Sequence, residues 1–184
     1  IHLIQEQNPD IILFSGDLVN NNASEIVPYI SMFKALNAPY GKFAVLGNHD
    51  YGDYKQWDST EQKEENQQKL FEYFKQMDFN LLNNSNYPIT INNETINIIG
   101  VENWGRPPFP QKGDLDFALK NTTDSFKILL THDPTHWELV VKNHPTKIDL
   151  TLSGHTHGMQ FGVEIPGIKW SPVKYIYQHW AGLY

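Results

Sequence analysis

Four apolar runs in this chain end in residues that bind metals or carry protons. Asp10-Ile11-Ile12-Leu13-Phe14-Ser15 runs into Gly16-Asp17. Lys42-Phe43-Ala44-Val45-Leu46 runs into Gly47-Asn48-His49-Asp50, and Phe126-Lys127-Ile128-Leu129-Leu130 into Thr131-His132-Asp133. Ile148-Asp149-Leu150-Thr151-Leu152 runs into Ser153-Gly154-His155-Thr156-His157-Gly158. Short, nearly continuous hydrophobic runs are the pattern of strands buried on both faces of an α/β sheet. In open α/β sheets the ligand site lies outside the carboxyl ends of the strands. An α/β fold would therefore deliver Asp17, Asn48, His49, Asp50, His132, His155 and His157 to one edge.

The last run carries two imidazoles one residue apart. On a regular strand, positions i and i+2 share a face and i, i+1 do not, but past the strand end the chain is free to turn. Gly154 and Gly158 permit the backbone angles that let both rings lean toward one place. Neutral imidazole is the commonest side-chain metal ligand. Alone, a His-x-His pair reads as a surface turn; the metal reading comes from the four runs together. The chain has no cysteine, which excludes disulfides and thiolate sites and leaves His, Asp, Glu, Asn and carbonyl oxygen as ligands. A net charge of −7 argues against a nucleic-acid partner held by a basic patch. An anionic substrate would need a local attractor, and bound metal ions supply one. No apolar run reaches the roughly 20 residues that span a bilayer.

At 184 residues the chain suits a single domain over 1–184 that buries about two-thirds of its unfolded surface. Residues 1–8 read as a helix end. Ile26, Ile30, Phe33 and Leu36 recur at helical spacing and predict a helix over 24–36. A second helix is predicted over 59–77, with Ser59 or Thr60 as cap and Leu70, Phe71, Phe74 and Met77 as its buried stripe. Short strands follow near 80–82, 88–91 and 95–101, with Asn92-Asn93 as a hairpin turn. Short helices are expected over 113–120 and 134–142. Past Gly158 the chain reads as β-like and aromatic.

The order Gly-Asp, Gly-Asn-His-Asp, Thr-His and Gly-His-Thr-His resembles the calcineurin-like metallophosphoesterase superfamily. The wording Ser15-Gly16-Asp17-Leu18-Val19, Leu46-Gly47-Asn48-His49-Asp50-Tyr51 and Ser153-Gly154-His155-Thr156-His157-Gly158 is similar to its bacterial branch of membrane-associated phosphohydrolases. The resemblance implies a β-sandwich flanked by helices, in four layers α/β/β/α. It also implies two divalent metal ions, Mn, Fe, Zn or Ni, that activate water against a phosphodiester or pyrophosphate bond. Asp17 would bridge both ions; Asn48, His132 and His155 would complete one shell, and His157 would bind the other ion. His49 would face the substrate and stabilise charge or protonate the leaving oxygen, with Asp50 orienting its ring. The substrate implied is a small or lipid-linked phosphate ester or pyrophosphate, in a bacterial protein of the cytoplasm or associated with a membrane. A phosphomonoesterase, or a catalytically silent binding module of the same fold, are the alternatives.

One departure stands out. The superfamily's first motif, Asp-x-His, is absent: Asp10-Ile11-Ile12 has the wrong third residue and Ile1-His2-Leu3 lacks the aspartate. The expectation is a chain truncated at both ends, with that motif, two ligands of one ion and any membrane-associating segment preceding Ile1. Arg106, the only arginine, is a candidate phosphate contact, the alternative being a solvated loop residue. Asp133 either holds His132 or caps the helix that follows. His2, His136, His144 and His179 read as surface or packing residues.

Overall fold

The computed structural model describes residues 1–158 and 161–184. A short helix α1 (His2–Gln5) leads into strand β1 (Ile12–Phe14). The helix expected over 24–36 is a 3₁₀ helix, Ala23–Tyr29, followed by α2 (Ile30–Lys34). Pro28 lies inside the 3₁₀ segment; it lacks the N–H that an α-helical turn would donate to residue 24. After β2 (Lys42–Ala44), helix α3 (Thr60–Gln76) starts where Ser59 Oγ accepts the Gln62 N–H at 3.2 Å. Strands β3 (Asn80–Leu81), β4 (Ser85–Ile91) and β5 (Glu94–Gly100) follow. Asn92 and Asn93 join the last two with φ of 50° and 68°, the all-positive turn that matches strand twist. Helix α4 (Leu115–Ala118), strand β6 (Phe126–Leu130), helix α5 (Thr135–Leu139) and strand β7 (Leu150–Leu152) complete the order up to the His-x-His turn.

The β-like stretch expected past Gly158 starts at Met159 and Gln160, which lie outside the described residues. Beyond them β8 (Val163–Ile165) and β9 (Ile168–Trp170) form an antiparallel hairpin, followed by a 3₁₀ turn at Pro172–Tyr175. Among the described residues no helix is long and apolar enough to cross a membrane.

Two sheets stack on one another. The first has order β1-β2-β3, all parallel; the second has order β4-β5-β6-β7, with only β4 antiparallel to its neighbour. Side-chain alternation along the strands shows the layering. Ile12, Ala44 and Leu46 pack under the helices with Ile26, Leu70 and Phe74. Their neighbours Phe43, Val45 and Leu82 meet Ile89, Ile98 and Leu130 of the second sheet. On its far side Ile99, Val101 and Leu129 pack with Leu115, Ala118 and Val141. The result is the expected four-layer α/β/β/α arrangement. Phe43, Ile98 and Leu130 are fully buried, and each contributes about 1.5–3 kcal/mol by leaving water.

The outer layer also buries one titratable ring. His136 on α5 bonds Thr131 Oγ1 at 3.0 Å and lies against Trp104, ring centroids 5.4 Å apart. Burial pushes its pKa down to about 4. Above pH 6.5 the ring is neutral in the folded and the unfolded chain alike. Between pH 6.5 and about 4 the unfolded chain binds a proton that the folded chain refuses, so stability falls as the pH falls, by about 3 kcal/mol in all. Urea unfolding at pH 7.5 and 4.5 should show a loss that His136→Asn largely removes. An equal loss in the variant would assign it to another group.

Candidate metal centre

The centre is built by bringing two strand ends into backbone contact. Gly16, at φ 99°, and Gly47 face each other at the ends of β1 and β2. A Cβ at Gly16 would stand 2.5 Å from the Gly47 nitrogen, and one at Gly47 would stand 2.1 Å from Asp17 Oδ1. Only glycine at both positions lets the loops close this tightly. Asp50 ties them together. Its carboxylate accepts N–H bonds from Asp17 and Gly47, both at 2.9 Å, and from Val19 at 3.1 Å. Burial pushes the Asp50 carboxyl up to about 6, opposed by the Gly47 and Val19 N–H groups.

Four electron-pair donors then converge. His132 Nε2 lies 3.1 Å from Asp17 Oδ2, 3.2 Å from Asn48 Oδ1 and 3.2 Å from His155 Nδ1. One ring N–H can satisfy one acceptor, so this crowding exceeds what hydrogen bonding needs. Donors brought this close would be relieved of their mutual repulsion by a shared cation, which Asp17, Asn48, His132 and His155 would hold. Two imidazoles, a carboxylate and an amide oxygen suit a first-row divalent cation. The ligand atoms of Asp17, His132 and His155 all lie within 4.8 Å of one another. Asp17, His155 and His157 hold φ of 60°, 65° and 55°. Left-handed backbone is uncommon outside glycine, and Asp, Asn and His are the residues that adopt it most readily.

A surrounding layer orients these donors. His132 Nδ1 donates to the Ser15 carbonyl at 2.7 Å, leaving Nε2 with its lone pair. His155 Nε2 meets Tyr177 Oη at 2.8 Å, with Asp133 Oδ2 3.6 Å away, leaving Nδ1 for the centre. Burial and, further, the charge of His132 lower the His155 pKa, though Asp133 opposes this. Burial works to depress His132 as well, but its hydrogen bond and charge attraction to Asp17 outweigh that and raise it. The carboxyl of Asp17 is lowered overall: burial raises it, and the contacts with His132 and His49 prevail.

The remaining residues read from the sequence are placed as follows. His157 lines the same recess, of about 350 Å³, as Asp17, His132 and His155, but lies outside the tight cluster. His49 donates its backbone N–H to Asp17 Oδ1 at 3.0 Å. Its ring differs from expectation: Nδ1 bonds the Asn20 carbonyl at 3.0 Å, not the Asp50 carboxylate, which is fully buried and committed to backbone N–H groups. Arg106 is ion-paired with Glu138 at 3.1 Å, and Glu138 also holds His179 at 2.9 Å. Asp133 takes the helix-start role, accepting the Thr135 N–H and hydroxyl on Oδ1, while its Oδ2 lies toward His155, not His132. His144 pairs with Asp116.

Three contributors carry no sequence signal of their own. Tyr177 comes from an aromatic tail that reads equally well as packing. Asn20 acts through its carbonyl, which any residue possesses. Tyr54 accepts from Asn48 Nδ2 at 2.8 Å and its ring lies tilted against that of His49, centroids 4.7 Å apart, from a loop with no motif.

The Asp50 tie should be measurable apart from any chemistry. Asp50→Asn replaces one acceptor atom by a donor facing N–H groups and should destabilise the fold by about 2–3 kcal/mol in urea unfolding. Divalent-ion affinity, measured by titration calorimetry, should fall with it. A variant as stable as the wild type would show that the glycine contact alone holds the loops.

Comparison with known proteins agrees with this geometry. The calcineurin-like phosphoesterase family profile matches residues 1–159. The chain is 28% identical over 161 residues to the uncharacterized metallophosphoesterase YkoQ of Bacillus subtilis, covering 86% of this chain and 54% of that protein. It is 32% identical over 158 residues to an uncharacterized metallophosphoesterase of Aquifex aeolicus, covering 84% and 53%. A transmembrane protein with metallophosphoesterase domain from Danio rerio is 28% identical over 169 residues, covering 87% and 36%. The chain thus spans about half or less of the length of these curated relatives. Matched profile, strand order and donor cluster agree, and the chain belongs to the calcineurin-like phosphoesterase family.

Proposed function

We propose that this chain is a metal-dependent phosphohydrolase acting on phosphodiester or pyrophosphate bonds. The observation that carries the reading is the convergence of Asp17, Asn48 and His155 on His132 Nε2 within 3.2 Å. Asp17, Asn48, His132 and His155 would hold one divalent ion; Asp17 and His157 would contribute to a second. When bound, such ions supply Lewis acidity toward the phosphoryl group and bring the pKa of water toward neutrality.

The protein groups do the rest. His49 sits beside Asp17, with its Nδ1 on the Asn20 carbonyl. That contact orients the ring, and from there its Nε2 would stabilise charge on the departing oxygen or pass it a proton. The only arginine is committed to Glu138. A dianionic monoester would meet little fixed positive charge beyond the ions, which favours a diester or pyrophosphate carrying less charge per phosphorus.

With Mn²⁺, bis(p-nitrophenyl) phosphate should be hydrolysed faster than p-nitrophenyl phosphate, and chelation should abolish turnover until Mn²⁺ is restored. A preference for the monoester would make the phosphomonoesterase reading the better one. His49→Ala should lower kcat about 10²–10⁴-fold with metal content unchanged. His132→Ala should lose the ion itself. Loss of metal in the His49 variant would make that residue a ligand. Elemental analysis should find about one tightly held ion per chain, because one position has four donors and the other two among the described residues. Two tightly held ions would mean that the second position has ligands this reading overlooks.

A further inference from the structure

The polar recess of the metal centre has a neighbour of opposite character. A second recess, of about 570 Å³, shares His155 and His157 with it as a common wall. Its other walls include Phe109, Phe161, Val173, Ile176 and Tyr177. The size lies within the range of small-molecule sites. The ring of Phe109 stands edge-on to His155, centroids 4.7 Å apart at 85°, and Tyr177 Oη bonds that imidazole's Nε2. One imidazole therefore faces the donor cluster through Nδ1, the Tyr177 hydroxyl and Asp133 carboxylate through Nε2, and the rings of Phe109 and Tyr177 at its edges. None of the described residues lining it is an Asp, Glu, Lys or Arg.

Phe161 and Ile176, at 76% and 69% exposure, leave large apolar surface in water at the rim. Covering it releases that surface from water, a gain proportional to the area covered. The lining hydroxyls of Thr156, Ser171 and Tyr177 are already bonded to the Trp180 carbonyl, the Phe161 carbonyl and His155, so a sugar or nucleoside would bring hydroxyl groups with few partners here. A hydrocarbon chain or aryl ring would bring none.

We propose that this recess binds an apolar group esterified to the phosphate, so that the chain acts on amphiphilic phosphate esters. The inference rests on the phosphohydrolase reading above and specifies its substrate class. A phosphate at the donor cluster would have one substituent directed across the His155–His157 wall, with the apolar group covering Phe161 and Ile176.

The test uses the whole chain with Mn²⁺ and non-hydrolysable methyl-, hexyl- and dodecylphosphonate, with affinities from titration calorimetry. A buried methylene is worth up to about fourfold in affinity, and hexylphosphonate should bind at least tenfold more tightly than methylphosphonate. Ile176→Asp, at an exposed position, should fold with an unchanged circular dichroism spectrum and lose most of the chain-length dependence. Equal affinity for the three phosphonates, with phosphate-ester hydrolysis intact, would overturn this inference and leave the phosphohydrolase reading standing. Undiminished dependence in the variant would also overturn it, by placing the apolar site elsewhere. Failure to bind any phosphonate or hydrolyse any ester would overturn both.

Discussion

The contact between the Gly16 and Gly47 loops, held by the buried carboxylate of Asp50, is the constraint on which the centre depends. The two strand ends approach so closely that any side chain at either glycine would overlap its neighbour. N–H groups left over from both loops turn inward, and a single carboxylate receives three of them. Unpaired, each buried N–H would cost about 1–3 kcal/mol. The same closure sets Asp17 beside the His49 N–H and near the Asn48 side chain. A small displacement of either loop would separate donors that must meet within a few tenths of an ångström.

The second sheet supplies the other half. His132 and His155 leave β6 and β7, which pair in parallel with Leu130 opposite Leu152. The sheets stack through Phe43, Val45, Ile98 and Leu130, so the imidazoles are set against the first sheet's loops by core packing. The hydrogen bond from His132 Nδ1 to the Ser15 carbonyl crosses directly between sheets. Core mutations far from the donors would therefore act on the centre through the relative placement of the two layers, as close-packed interiors transmit strain.

Charge follows a related logic. The chain is acidic overall, and its one arginine is neutralised by Glu138. The candidate cation site of Asp17, His132 and His155 would, with an ion bound, give an anion a local point of attraction in an otherwise acidic chain. Next to that cluster lies an apolar recess, and the boundary between them runs along His155 and His157.

Much of this was legible in the chain of residues itself. Nearly continuous apolar runs identify β1, β2, β6 and β7, because a strand covered on both faces draws mostly apolar side chains. The polar residues that end those runs identify Asp17, Asn48, His132 and His155, because sheet geometry gathers carboxyl ends at one edge. Ser59 marks the start of α3 and Asn92-Asn93 the hairpin, since capping and turn chemistry act over a few residues. What local patterns could not determine depends on distant partners. Asp50 follows His49 directly and reads as its orienting group, yet the backbone N–H groups of another strand end claim it, and the Asn20 carbonyl takes the ring. Tyr177 reads as a packing ring until the fold brings it to His155. Arg106 reads as a phosphate contact or a loop residue until α5 places Glu138 beside it. Local sequence determined which groups stand at the strand ends; the stacking of two sheets decided which atoms they meet, because those distances are set by packing between residues far apart in the chain.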